Sequence, residues 1–277
     1  MIKLNNISYN YRKGAEALKN VSATIDNGIH IMLGENGAGK TTLLHIIAGL
    51  LLPTTGECEV DGENVWHRNP AVMKRIFFLD NNMPFPADTI CETVKIHSVF
   101  YPNFDKEMLQ RNLTHFNMTG KEGLSKMSFG NRQKAQLAYA LALKCDVLLL
   151  DEPTNGLDIS SKQQLQSMVA ECTDEKQTVI VSTHTVGDLE NLYDGAILLK
   201  NCQVIIAAPT ETICSKLLFK TSMSPVPEAI HSEMKLGLFL TIEPNDRGEF
   251  SDIDYVRLYN AVHNPESCQK LLSAMKK

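Results

Sequence analysis

Hydrophobic positions along this chain fall into two rhythms. Ile2, Leu4 and Ile7 alternate with polar residues, which predicts a half-buried strand at the edge of a sheet. Predominantly apolar runs follow at 29–33, 75–79, 146–150 and 178–182. Their length and their turn-forming borders suit strands covered on both faces of a parallel sheet. The other rhythm is helical. Leu43, Leu44, Ile47, Leu50 and Leu51 share one face of a helix that Pro53 ends, and residues 163–172 form a second helix. Residues 57–60 read as a strand turning through Asp61-Gly62. From about 82 to 145 the pattern changes: Met83-Pro84-Phe85-Pro86 leads into amphipathic helical spacing with no strand. Strand–helix–strand order on both sides of this helical insert predicts an α/β fold with a mixed sheet, an N-terminal antiparallel β portion and an inserted α-helical subdomain.

Beyond about residue 209 the pattern thins. Residues 222–227 read as loop, 236–242 as a strand, and 255–262 as a helix carrying Val256, Leu258, Tyr259 and Val262. The expected division is a main domain over 1–206 and a small accessory region over 207–277.

Composition narrows the partners. The 277 residues carry 27 basic and 32 acidic side chains, a net charge of −5, so bulk electrostatics gives a nucleic-acid role no support. Seven scattered cysteines, never spaced Cys-x-x-Cys, are expected to be reduced thiols, with Cys145 and Cys172 as core filler. No signal peptide is expected, and no stretch of about 18 apolar residues would span a bilayer.

The candidate chemistry begins at Gly34-Glu35-Asn36-Gly37-Ala38-Gly39-Lys40-Thr41, followed by Thr42, which fits the phosphate-loop pattern of a P-loop NTPase core without a mismatch. Glycines let successive backbone N–H groups turn inward on phosphate oxygens. The helix behind the loop adds the positive end of its dipole. Lys40 supplies a full charge near the β- and γ-phosphates, and Thr41 a hydroxyl for Mg²⁺. Residues 147–150 then deliver Asp151 and Glu152 at a strand end, where open α/β sheets bind ligands. Asp151 is the expected Mg²⁺ ligand and Glu152 the expected general base. Two carboxylates beside a triphosphate would repel it without the metal. His184, after the apolar run, is a candidate γ-phosphate contact that orients Glu152.

With these motifs in one order, residues 2–206 resemble the ATP-binding subunit of an ABC transporter. The discriminating element is Met127-Ser128-Phe129-Gly130-Asn131, which is similar to that family's signature motif, usually Leu-Ser-Gly-Gly-Gln; Ser128 and Gly130 keep the central pattern. The resemblance implies that Ser128, Gly130 and the helix behind them bind the γ-phosphate held by a second chain. It implies that Asp158, in Asn155-Gly156-Leu157-Asp158, couples the two sites of that dimer. Tyr11, or less favourably Tyr9, stands where the family stacks an aromatic ring on adenine. Where the family has a glutamine, for metal and water, this chain has Asp80-Asn81-Asn82; Asn81 aligns best but is one methylene, roughly 1.3 Å, shorter.

The resemblance thus implies an ATPase that uses ATP and Mg²⁺, pairs with a second ATP-binding subunit as a homo- or heterodimer, and drives separate polytopic membrane permease subunits docked on the helical insert. It would sit in the cytoplasm, peripheral on the inner face of the cell membrane. Chain length, a single cassette and the Ser-x-Gly signature favour a bacterial exporter of a peptide, antibiotic or lipid-like substrate. The alternative is an ABC ATPase outside transport, acting in assembly or regulation.

Overall fold

The computed structural model describes residues 1–12, 14–80, 83–184 and 192–276. Strands β1 (Ile2–Asn10), β2 (Glu16–Ile25), β4 (Thr55–Val60) and β5 (Glu63–Asn64) form an antiparallel sheet in the order β2-β1-β4-β5. The edge assignment for the first strand is corrected: Ile2 pairs with Ile25 on one side and Val60 on the other. Alternation reports which face is buried and carries no information on how many neighbours share the backbone hydrogen bonds. Asp61 (φ 49°) and Gly62 (φ 81°) make the expected tight turn between β4 and β5, with the two positive φ values that hairpin geometry favours.

A second sheet has the order β10-β9-β3-β8-β7-β6. Its parallel strands are β3 (Gly28–Leu33), β6 (Ile76–Leu79), β7 (Val147–Asp151), β8 (Thr178–Thr183) and β9 (Gly195–Lys200), and β10 (Gln203–Pro209) closes it antiparallel to β9. Alternate residues of the same apolar runs feed two separate cores. Met32, Phe78, Leu149 and Ile180 pack with β1, β2, β4 and helix α1 (Lys40–Ile47). Leu33, Phe77, Leu148, Leu150 and Val181 pack with the helices on the other face. A run of continuous hydrophobicity is what such two-sided burial requires.

Helix α1 ends sooner than its apolar stripe suggests. Gly49 adopts φ +68° and donates its N–H to Ile46 O at 3.0 Å, and Leu50 beyond it is 54% exposed. After the short α2 (Pro70–Met73), the described part of the insert is helical as expected: α3 (Ile90–His97), α4 (Lys106–His115) and α5 (Phe129–Ala142). Helix α5 is more deeply buried than one apolar face predicts, with Gln133 and Gln136 buried alongside the run 135–142. Helix α6 (Ile159–Cys172) joins β7 to β8.

The C-terminal stretch is richer than its pattern. It contains α7 (Thr210–Lys216), β11 (Leu217–Ser222), β12 (His231–Lys235), β13 (Leu238–Pro244), α8 (Tyr255–His263) and α9 (Pro265–Lys276), with the strands in an antiparallel sheet of order β11-β13-β12. The strand expected from 236 begins at Leu238, because Leu236 (φ 52°) and Gly237 (φ 81°) form the turn before it. Position 206, the expected end of the main domain, lies within β10. All seven cysteines are free thiols, and Cys145 and Cys172 are buried. Among the described residues no helix is long and apolar enough to cross a membrane.

Candidate nucleotide site

The loop between β3 and α1 is shaped by two glycines that no other residue replaces cheaply. Gly39 caps α1 at φ +104°, and a Cβ there would lie 2.5 Å from the Ala17 carbonyl oxygen. Gly34 is free of φ strain but packs so closely on β9 that a Cβ would lie 2.9 Å from Leu199 O. Ala38 N–H donates to Glu35 O at 3.1 Å, closing the turn. No side chain caps the N-terminus of α1, which leaves that end to an anion.

Lys40 is buried, and its ammonium crosses back over the loop, donating to Gly34 O at 2.8 Å and Glu35 O at 3.2 Å. Its Nζ also lies 3.7 Å from Glu152 Oε1. Thr41 Oγ1 donates to Asp151 Oδ2 at 2.7 Å, and Ser182 Oγ donates to the other carboxylate oxygen, Asp151 Oδ1. The Glu152 N–H is shared between Ser182 O at 3.1 Å and Ser182 Oγ at 3.0 Å. Glu152 holds φ +52°, a left-handed conformation that costs a non-glycine residue roughly 1–2 kcal/mol. That turn brings its carboxylate to His184, whose Nδ1–H donates to Glu152 Oε2 at 2.8 Å. The structure therefore brings Thr41, Asp151, Glu152 and His184 into one hydrogen-bonded cluster through Ser182, with the Lys40 ammonium beside it at 3.7 Å from Glu152. Sequence reasoning missed Ser182 as its clamp; the signal was a hydroxyl ending an otherwise apolar strand.

The donor set fits Mg²⁺ bound with phosphate. Thr41 and Asp151 offer adjacent hard oxygens, and no group of three or more His, Cys, Asp or Glu side chains forms an all-protein metal cage among the described residues. Mg²⁺ characteristically takes one or two carboxylates and completes its shell with water and substrate phosphates. Tyr11 stands at the rim, 45% exposed, with its hydroxyl 3.1 Å from Thr42 Oγ1 and its ring edge-on to Tyr9 at 5.0 Å. Asn81 lies outside the described residues.

Ser128, Gly130 and Asp158 form a second group. Ser128 Oγ caps α5 by accepting from Asn131 N–H at 3.3 Å. A Cβ on Gly130 would touch Leu157 at 3.2 Å, and one on Gly156 would meet the Phe129 ring at 2.9 Å, so the start of α5 packs on the loop before α6. Asp158 caps α6 by accepting from Ser161 N–H at 2.7 Å, and that backbone bond holds its carboxyl below the usual carboxylate range. Phe129 (40%) and Ile159 (78%) stay exposed at this corner.

A glycine loop between a parallel strand and a helix, with Asp151-Glu152 at the end of β7 beyond the intervening β8, defines a P-loop nucleotide hydrolase. Residues 18–155 match the ABC transporter family model. The ABC transporter ATP-binding protein NatA of Bacillus subtilis is 32% identical over 210 residues, which cover 73% of this chain and 85% of that protein. The energy-coupling factor transporter ATP-binding protein EcfA of Methanosphaera stadtmanae is 29% identical over 216 residues, covering 72% and 78%. A dimeric ATP-binding cassette, solved in a post-hydrolysis state with ADP and Pi, superimposes with TM-score 0.64 at 25% identity over 76% of this chain and 98% of its own. The chain belongs to the ATP-binding subunits of ABC transporters. It is an ATPase that works with ATP and Mg²⁺, and subunits of this family dimerise and act with membrane components of transporters.

Proposed function

We propose that Glu152 is the general base of ATP hydrolysis, held by His184, and that this chain pairs with a second ATP-binding subunit so that Ser128, Gly130 and Asp158 of one serve the nucleotide of the other. The single observation that carries the reading is the Glu152 carboxylate, fixed by a left-handed backbone and a 2.8 Å bond from His184 at the mouth of the phosphate loop. Lys40 and the loop N–H groups bind the phosphates, Thr41 and Asp151 hold the metal, and Tyr11 supports adenine. Bound Mg²⁺ would neutralise phosphate charge. Asn81 serves the same metal in the place of a glutamine.

The permease subunits dock on the helical insert. Ile96, Val99 and Phe100 are exposed there beside a groove lined by Leu50, Phe78, Met83, His97 and Tyr101, which supports an apolar docking element. The complex sits on the cytoplasmic face of the cell membrane. The direction we favour is export of a peptide, antibiotic or lipid-like substrate in a bacterium, supported by the single cassette and the Ser128-x-Gly130 signature.

The test is Glu152→Gln. It keeps shape and hydrogen bonding but removes the base, so ATP binding persists, turnover falls by about 10²–10⁴, and an ATP-bound dimer accumulates on gel filtration. Normal turnover would assign the base elsewhere. Purification from native membranes in mild detergent checks the partner: a polytopic protein should accompany the chain and would carry the answer on cargo.

A further inference from the structure

The phosphate loop also touches the C-terminal unit. Gly34 packs against the Leu199 backbone of β9, and the next residue, Lys200, reaches to the C-terminal end of α8. Its Nζ donates to Val262 O at 2.8 Å and His263 O at 3.3 Å, where a cation meets the negative end of the helix dipole. From that helix end the His263 ring points back at the loop, with Nε2 3.8 Å from Glu35 Oε1. Its Nδ1–H donates to Tyr259 O at 2.8 Å, and the Tyr259 ring packs on it with centroids 4.0 Å apart. Nε2 has no hydrogen-bond partner, and in the imidazolium form, which carries a second N–H there, it faces the Glu35 carboxylate as its ion-pair partner. Burial raises the Tyr259 phenol above its usual value, and the nearby Glu35 carboxylate adds to the rise.

Gly34 and Glu35 are thus held from two sides. On the inner side the Lys40 ammonium binds both carbonyls; on the outer side stand Leu199 and α8. A triphosphate in the loop draws the Lys40 charge toward itself and weakens the inner hold. The Ala38 N–H bond to Glu35 O still closes the turn, and the outer hold is the remaining contact that ties it to the rest of the chain.

We propose that His263 is a positioning residue for the phosphate loop: braced by Tyr259 and Lys200, it holds Glu35 so that the C-terminal unit sets the affinity of the core for ATP. The inference rests on the loop being the ATP site. Glu35 is 70% exposed, so the pair has the strength of a surface contact and acts on affinity rather than on folding.

The experiment titrates the full chain with Mg-ATP and follows steady-state hydrolysis. His263→Ala should raise both the ATP Kd and KM about threefold to fivefold, the scale of one exposed ion pair, with kcat within twofold and an unchanged melting temperature. His263→Gln, which can still offer an N–H to Glu35, should recover most of the affinity. Glu35→Ala combined with His263→Ala should be no worse than the weaker-binding single variant, because both remove one interaction. Lys200→Met, which leaves α8 itself intact, should shift KM in the same direction. Unchanged KM in His263→Ala and Lys200→Met, or effects of Glu35→Ala and His263→Ala that multiply, would overturn the proposal. Lys40→Ala separates the two levels: ATP binding that survives it refutes the loop as the ATP site, whereas its loss beside a normal His263→Ala refutes the brace alone.

Discussion

The two groups of site residues differ in where their bonding capacity is spent. Around the phosphate loop it turns inward: Thr41, Asp151, Glu152, Ser182 and His184 bond to one another, Lys40 bonds to the loop carbonyls, and the charged side chains of Lys40 and Asp151 are buried. At the corner of Ser128, Phe129, Leu157 and Asp158 it turns outward: the two caps use one oxygen each, and Phe129 and Ile159 face solvent. A buried charge network is strained by small changes because any partner removed leaves another unpaired at low dielectric. A surface corner absorbs the same change locally. On the function proposed above, the inner half would do the chemistry and the outer half would meet the second subunit.

The largest break in that comparison is Asp151→Asn. The amide still accepts from Thr41 or Ser182, but the charge that complements Mg²⁺ is gone. Removing metal-borne stabilisation of transition-state charge should lower kcat by about 10²-fold or more, read as ATPase activity across a Mg²⁺ titration. A variant with wild-type activity at ordinary Mg²⁺ would move the metal away from Asp151.

One substitution made in both halves sharpens the contrast. Gly39→Ala forces a Cβ at φ +104° to within 2.5 Å of a backbone carbonyl, which cannot swing aside. Gly156→Ala suffers a positive φ of 74°, yet its nearest obstacle is the Phe129 ring, 40% exposed and able to rotate. The expected losses are about 2–3 kcal/mol for Gly39→Ala and about 1 kcal/mol for Gly156→Ala, measured by urea denaturation. Equal losses would mean the loop relaxes as freely as the surface corner.

The same physical difference decides what the sequence made legible. The phosphate loop was readable because its requirements are local: glycine at positive φ, lysine and threonine at fixed offsets, a strand before and a helix after. The Asp151-Glu152 strand end was readable because two-sided burial leaves an apolar run that only a functional carboxylate interrupts. The pairing of β1 on both sides was not, since hydrogen-bonded neighbours leave no mark on side-chain alternation. In the C-terminal unit, β12 reads His-Ser-Glu-Met-Lys, and only His231 is buried. Such a strand exists through its pairing with β13 rather than by its own preference. Contacts between distant segments, such as Ser182 with Asp151 or His263 with Glu35, lie equally outside local pattern.

Ser128→Ala asks whether the outward face serves a partner. Loss of the cap on α5 costs about 1 kcal/mol, and ATP binding to the single chain is expected to persist. What should weaken is the ATP-dependent dimer of Glu152→Gln, by about tenfold for roughly 1.4 kcal/mol of lost contact, read by analytical ultracentrifugation. Loss of ATP binding to the isolated chain would place Ser128 in the inner half and dissolve the distinction.

The smallest effect concerns Asp158, whose carboxylate is depressed by the Ser161 N–H it accepts from. A carboxyl with a folded pKa below its unfolded value contributes stability that is fully present above the unfolded pKa and lost as pH falls through the folded one. Asp158→Asn keeps a capping acceptor and removes the titration, so at pH 7 the melting temperature should hardly move. As pH falls below about 4, the ordinary unfolded aspartate range, the difference between wild type and variant should drift in the variant's favour, since only the wild-type cap is being protonated. The drift should be slight, because the side chain is exposed and water competes for its oxygens. A large drift would mean that the carboxylate is shielded, which is what a neighbouring chain packed over the corner would do. The titration, repeated with and without ATP in the Glu152→Gln background at pH values where the dimer holds, therefore tests the outward half against its proposed use.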